Sequence, residues 1–252
     1  MQLTNKQIEQ FNQDGFLVIK DFAPKELCDK ILEKAKEHLS NKKAPIETES
    51  EYLDANDETN TVRRLRQVYQ REDIFKEWMT NKDIRAILKQ IFNEDIVLTL
   101  AHHNSIMTKM PKESSRTSWH QDRRYWSFEN DDLVSVWLSL DDEFIENGLL
   151  EFIPGSHKLK LEKEQFDEKS NFLDENPKNI EIIKNRVHTN LKKGDIVLFH
   201  CKTLHHAGKN KTDKAKISFV YTVRAKSNKP LPNTRSDFQE IELDWYYKAF
   251  RK

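Results

Sequence analysis

His120 and Asp122, two residues apart in Trp119-His120-Gln121-Asp122, are well spaced to hold a metal ion. In extended chain, residues i and i+2 point to the same side. An imidazole nitrogen and a carboxylate oxygen can therefore meet one ion. A further histidine from elsewhere would complete two histidines and one carboxylate on one face of an octahedron. Three positions then stay open, the arrangement of non-haem iron(II) oxygenases. A lone His-x-Asp arises often by chance, so the second signal matters more. After Gly194-Asp195 comes the strand-like Ile-Val-Leu-Phe-His of 196–200, then Cys-Lys-Thr-Leu-His-His-Ala-Gly. His200, His205 and His206 crowd into this stretch beside a turn glycine, and one of them is the expected third ligand. Further on, Lys216 and Ser218 alternate onto one face of a strand, where a cation and a hydroxyl can bind a carboxylate.

The elements that must position these groups change character along the chain. The first third reads as helical: Thr4 and Gln7 form a capping box, Gly15 ends the first helix, and Pro24 opens a second with Leu27, Ile31, Leu32 and Ala35 at helical spacing. Residues 41–62 read as a long polar loop, acidic from Glu47 to Glu58, of the kind that often forms a lid. A further helix runs from about 82 to 92 after an Asn81 cap. From residue 95 the pattern is strands, at 96–101, 133–140, 149–153, 196–200 and 217–223, separated by turn signals such as Asn147-Gly148 and Pro154-Gly155. Short strands with tight turns imply a β-sandwich or jelly roll. Residues 158–186 read as a charged insertion over the sheet. The expected organisation is one domain over 1–252: a helical part to about 94, a jelly-roll core over about 95–225 and a C-terminal extension over about 226–252.

Composition narrows the function classes. Lys+Arg and Asp+Glu both number 42, so no net charge draws the chain to nucleic acid or an anionic membrane. No apolar run approaches the roughly 20 residues that span a bilayer, and the first residues lack a signal peptide's apolar core. Two cysteines, Cys28 and Cys201, are too few for a disulfide framework. A cytoplasmic protein acting on a small molecule is the expectation; oligomeric state is not readable.

The stretch WHQDRRYWSFENDDLVSVWLSLDDEFIENGLLEFIPGSHK (119–158) resembles the core of the phytanoyl-CoA dioxygenase-like family, as does GDIVLFHCKTLHHAGKNKTDKAKIS (194–218). QIEQFNQDGFLVIKDF near the N-terminus fits the same family's opening. The resemblance implies a mainly β fold with flanking helices, the double-stranded β-helix (a cupin-like jelly roll). It also implies iron(II), 2-oxoglutarate as cosubstrate, and O2. It makes His120, Asp122 and His205 the metal ligands, His205 over His206 by its place in the Leu-His-x-x-Gly segment. Lys216 falls where the family usually has an arginine for the far carboxylate of 2-oxoglutarate; lysine keeps the charge and loses the two-point fork. Ser218 and Trp137 line the cosubstrate pocket in relatives, as does the strand face bearing Ser105, Met107 and Lys109. Retention of Asp122 implies hydroxylation rather than halogenation.

For the substrate, Arg123, Tyr125 and Trp126 follow the His-x-Asp directly, and Arg64 lies in a second basic cluster with Arg63 and Arg66. Together they suit a small anionic metabolite. Two alternatives compete: a non-catalytic jelly-roll binding module, and a cupin-type metalloenzyme that needs no 2-oxoglutarate.

Overall fold

The computed structural model describes residues 1–53 and 61–243. Helix α1 (Asn5–Asp14) starts with the anticipated capping box: the Gln7 amide donates to Thr4 Oγ1 (3.3 Å) and the Thr4 amide to Gln7 Oε1 (3.0 Å). It ends at Gly15, whose φ of 81° is left-handed backbone that suits glycine. The Gly15 carbonyl accepts from the His200 amide (2.8 Å) and from Thr203 Oγ1 (2.8 Å). A Cβ added there would overlap the side chains of His157 and Thr203, so glycine is required for space as well as for φ.

Strand β1 (Phe16–Ile19) leads to α2 (Lys25–Ser40), β2 (Ile46–Thr48), α3 (Glu49–Leu53), β3 (Val62–Arg66), α4 (Asp73–Met79) and α5 (Lys82–Phe92). Asn81 caps α5, its side chain accepting from the Asp83 and Ile84 amides. The remaining elements are β4 (Ile96–Lys109), β5 (Thr117–His120), β6 (Leu133–Ser139), β7 (Leu150–Phe152), α6 (Pro177–Ile183), β8 (Val187–His188), β9 (Ile196–His200), β10 (His205–Ala207), β11 (Lys216–Ala225) and β12 (Glu240–Glu242).

All pairings between these strands are antiparallel, in two sheets. The larger runs β1-β9-β6-β11-β4-β3-β2, with β12 also on β4; the smaller runs β5-β10-β7-β8. This is the double-stranded β-helix, with helices packed against the outside of the larger sheet. Period-two alternation sorts its side chains. On the outer face, Val134, Val136 and Leu138 of β6 and Ile217, Phe219, Tyr221 and Val223 of β11 join Ile31, Phe75, Trp78 and Ile87 of the helices in the main core. On the inner face, Trp137, Phe199 and Val220 pack against Leu150 and Phe152 of the smaller sheet. Phe16 stacks on Phe152, ring centroids 4.7 Å apart. The same inner face also carries buried Ser135, Ser139, Lys216, Ser218 and Thr222. Buried polar groups of this density need partners, and those partners form the site described below.

Two regions differ from the sequence reading. The expected loop over 41–62 contains β2 and α3; β2 pairs with β3, whose register against β4 puts Arg64 opposite Met107. That segment is therefore joined to the edge of the sheet, although its residues 54–60 lie outside the described chain, as does the end of the C-terminal extension from 244 onward. The 158–186 stretch carries α6, started by Asn176, whose side chain accepts from the Lys178 amide, and by Pro177 at the first helical position.

Candidate metal centre and its cavities

Strand β5 ends at His120, Gln121 stays extended (φ −109°, ψ 133°), and Asp122 begins a single turn of 3-10 helix. The His-x-Asp side chains therefore emerge on one side, while the Gln121 amide group turns away to the Lys202 carbonyl (2.6 Å). Strand β10 runs antiparallel to β5, with His205 directly opposite His120. One cross-strand pair and one i,i+2 pair thus bring three side chains together. Asp122 Oδ1 lies 3.6 Å from His120 Nε2 and 3.7 Å from His205 Nε2. The three donor atoms all fall within 4.8 Å of one another, and all three residues are buried.

Both imidazoles are oriented from behind. His120 Nδ1 sits 2.8 Å from the Ser118 carbonyl and His205 Nδ1 2.9 Å from the Thr203 carbonyl. A carbonyl accepts only from N–H, so each Nε2 is left with its lone pair facing the carboxylate, the tautomer a metal requires. Protonation agrees. Burial lowers the His120 pKa; burial and then the His120 charge push His205 down to about 3. Burial alone would raise Asp122, but His103, His205 and His120 outweigh it and hold the carboxyl well below its usual range. Neutral imidazoles beside an ionised carboxylate form a donor set that a divalent ion can occupy without displacing protons. The residues fit the metal that the spacing suggested.

His206 points the other way. Its Nδ1 is 2.8 Å from Glu151 Oε2, its Nε2 accepts from Arg116 Nε (3.0 Å), and its ring stacks on Trp119. His200 also faces elsewhere, its Nδ1 accepting from the Lys202 amide (3.1 Å). The sequence reading missed His103, whose Nε2 is 3.0 Å from the same Asp122 oxygen. Its signal was available: counting back by twos from Lys109, Met107 and Ser105 reaches it. Asp122 Oδ2 accepts from Ser135 Oγ (3.3 Å) of the inner face.

Two cavities meet at this cluster. A small one of about 60 Å³ is lined by His120 and His205 together with Met107, Lys109, Trp137 and Lys216. Ser105 is buried on β4, paired with Val220, and lines the larger cavity instead. Ser218 is fully buried. Around the expected carboxylate anchor the structure adds a residue that the sequence reading did not single out. Glu143, buried between β6 and β7, accepts from Lys216 Nζ (3.1 Å), Ser218 Oγ (2.7 Å) and Trp137 Nε1 (2.9 Å). It lies in Asp141-Asp142-Glu143, a run that looks solvated when read alone. Lys216 Nζ also stands 5.1 Å over the Trp137 ring.

The larger cavity, about 650 Å³, opens over His120 and Asp122 and is strongly basic: Arg64, Arg66, Arg116, Arg124 and Arg235 line it. Tyr125 and Trp126 line it too. Arg64 pairs with Glu47. Arg124 donates to the Lys169 and Ser170 carbonyls and to Asn171 Oδ1, tying the 158–186 insertion to the rim. Arg123 corrects the sequence reading. Its guanidinium turns away to Asp131 and the Phe128 carbonyl, and it does not line the cavity. Within the 3-10 turn that follows Asp122, successive side chains diverge, so adjacency in sequence did not bring it to the mouth. Among the described residues, the guanidinium groups of Arg66 and Arg235 have no hydrogen-bond or ion-pair partner.

Comparison with known proteins places this geometry in a family. A phytanoyl-CoA dioxygenase family model matches residues 11–218. Human peroxisomal phytanoyl-CoA dioxygenase is 26% identical over 226 residues, 83% of this chain and 65% of that protein; the chain thus spans under two thirds of that relative's length. A probable alpha-ketoglutarate-dependent hypophosphite dioxygenase of Stutzerimonas stutzeri is 27% identical over 81% of this chain and 73% of its own. Among solved structures, the epimerase SnoN, crystallised with Fe3+, alpha ketoglutarate and nogalamycin RO, superposes with a TM-score of 0.74 at 20% identity, covering 90% of this chain and 85% of that one. EctD from S. alaskensis with 2-oxoglutarate and 5-hydroxyectoine gives 0.73 at 17% identity, covering 94% and 84%. The structural likenesses establish the shared fold. Because the matched segment takes in His120, Asp122 and His205 along with both helical and sheet portions, the chain belongs to the phytanoyl-CoA dioxygenase family.

Proposed function

We propose that this protein is an iron(II)- and 2-oxoglutarate-dependent dioxygenase that hydroxylates a small anionic metabolite. The observation that carries the reading is the donor set: two neutral, back-oriented imidazoles and one ionised carboxylate, buried at the meeting point of a small cavity and a larger basic one. His120, Asp122 and His205 would hold the iron. Bound there with 2-oxoglutarate, it supplies the oxidising chemistry that turns O2 and a substrate C–H into a hydroxyl, with succinate and carbon dioxide released. The chain's own residues do the rest. The Ser118 and Thr203 carbonyls fix the imidazoles, Ser135 steadies Asp122, and Trp137 and Met107 wall the small cavity against water.

The anionic character of the substrate rests on the larger cavity. Arg64 and Arg124 are engaged within the protein, whereas the guanidinium groups of Arg235 and Arg66 have no partner among the described residues. Burial, then Arg66 and Arg64, lower the Arg235 pKa. A guanidinium held there among like charges favours an incoming carboxylate or phosphate-like group. Tyr125 and Trp126 supply apolar contact at the same rim. Among the described residues no helix is long and apolar enough to cross a membrane. Both cysteines are buried free thiols whose pKa burial raises, in keeping with a reducing compartment such as the cytoplasm.

Anaerobic titration with iron(II) and then 2-oxoglutarate tests the class. A weak visible charge-transfer band is expected in the native protein and is expected to vanish in His120→Ala. Iron binding with no band on adding 2-oxoglutarate would overturn it in favour of a metalloenzyme without that cosubstrate, a reading that the capping of Lys216 by Glu143 would then favour.

A further inference from the structure

The small cavity contains two buried lysines, and they are not equivalent. Lys109 and Lys216 are cross-strand partners in the β4–β11 ladder, and both line the cavity beside His120 and His205. They are buried to a similar degree, 6% and 3% exposed. Lys216 is matched by a carboxylate of the protein itself. Glu143 receives its ammonium and, with its other oxygen, Ser218 and Trp137 as well. The polar groups that the family resemblance places around the far carboxylate of 2-oxoglutarate thus already surround one.

Lys109 has no such match. Its ammonium donates to the Ser115 carbonyl (2.6 Å) and lies 3.4 Å from Thr117 Oγ1, both neutral groups. Among the described residues no carboxylate lies within ion-pair distance of it. The adjacent Arg63 is spoken for by Glu49 (3.4 Å) and Glu47 (3.8 Å). Around the cavity wall Lys216 is matched by Glu143 and Arg63 by Glu49, while Glu47 is shared between Arg63 and Arg64, so the Lys109 ammonium alone of the two cavity lysines has no carboxylate at ion-pair distance among the described residues. An unpaired buried charge is costly until an anion arrives. Burial, and the charges of Arg63 and Lys216, hold the Lys109 pKa well below its usual value, as expected for a cation lacking a counter-ion.

We propose that Lys109, rather than Lys216, provides the charge that binds the distal carboxylate of the 2-oxo acid cosubstrate, and that Glu143 withdraws Lys216 from that role. The inference rests on the 2-oxoglutarate reading above and assigns the binding group within it. Glu143 then acts as a built-in competitor: neutralising it would return Lys216 to the pocket as a second anchor.

Calorimetric titration of the iron(II)-loaded protein without oxygen tests this, using 2-oxoglutarate and 2-oxobutyrate, which has the same chelating end but no distal carboxylate. Lys109→Met is expected to weaken 2-oxoglutarate roughly 10- to 100-fold, the range for a charge-assisted contact. It should leave 2-oxobutyrate within about twofold, which also reports that the variant is folded. Glu143→Gln is expected to tighten 2-oxoglutarate, and the Lys109→Met, Glu143→Gln double variant to recover most of the lost affinity through Lys216. Unchanged 2-oxoglutarate affinity in Lys109→Met, or weakened affinity in Glu143→Gln, would overturn the assignment while leaving the cosubstrate in place. A native protein that binds neither 2-oxo acid would overturn the cosubstrate reading itself.

Discussion

The two faces of the larger sheet are made from the same strands and do opposite work. On β11, Ile217, Phe219, Tyr221 and Val223 point to the helices, while Lys216, Ser218, Val220 and Thr222 point to the smaller sheet. Both sets are buried, so burial does not separate them. The outer face is held by apolar area removed from water, which is indifferent to direction. The inner face is held by directed contacts such as Ser135 with Asp122 and Thr222, and Lys216 and Ser218 with Glu143. The difference teaches that this fold puts stability and chemistry on alternate residues of one strand, one residue apart.

Substitutions should separate the two faces. The largest effect is expected at the inner edge. His205→Ala should lower turnover by more than about 100-fold, since losing even a group that supports a ligand costs 10- to 100-fold. Its thermal unfolding should change little, and wild-type-like iron affinity would break the comparison. Phe219→Ala, fully buried on the outer face, should cost about 3–5 kcal/mol in denaturant unfolding. Below its transition it should keep its activity per folded molecule. In the larger cavity, Arg235→Ala should raise KM for an anionic substrate roughly 10-fold or more with kcat less affected. Arg123→Ala, paired to Asp131 outside the cavity, should leave KM alone.

The smallest effect concerns protons. Lys109 faces Arg63 from β3, Lys216 from β11 and Glu49 from α3, and burial with the first two lowers its pKa. An arriving carboxylate raises it again. Cosubstrate binding should therefore take up a fraction of a proton, and affinity should fall as pH rises through the free-state pKa. Calorimetry in buffers of different ionisation enthalpy reads this directly, and proton release would contradict it.

The three candidate metal ligands were legible because their spacing is local: His-x-Asp works by period-two geometry, and the later histidine by its place after a strand. Even so, choosing His205 over His206 took the family resemblance, since the two differ only in which side of β10 they occupy. The jelly roll was legible from apolar runs and turn signals, and α5 from its Asn81 cap. Strand β3 was not, because Val62-Arg63-Arg64-Leu65-Arg66 looks like a basic surface cluster until β4 is known to pair with it. Helix α4 is short, with no side-chain hydrogen bond at its N-cap. Glu143 was invisible for a different reason. An acidic residue in an Asp-Asp-Glu turn signals solvent, and only the closure of β6 toward β7 buries it on a lysine, a serine and a tryptophan. Arg235 lies far along the chain from the other cavity residues, and no local pattern marks it.

Gly15 has a consequence for the order in which the protein becomes functional. Its carbonyl holds the Thr203 hydroxyl across 188 residues of chain, and the Thr203 carbonyl in turn fixes the His205 imidazole. His205, the last of the three candidate ligands, therefore gains its full support only once these distant parts of the chain have met, a contact whose loop-closure entropy slows its formation. Iron would then find a finished site only late in folding, so the metal is better placed to lock an already assembled protein than to nucleate it.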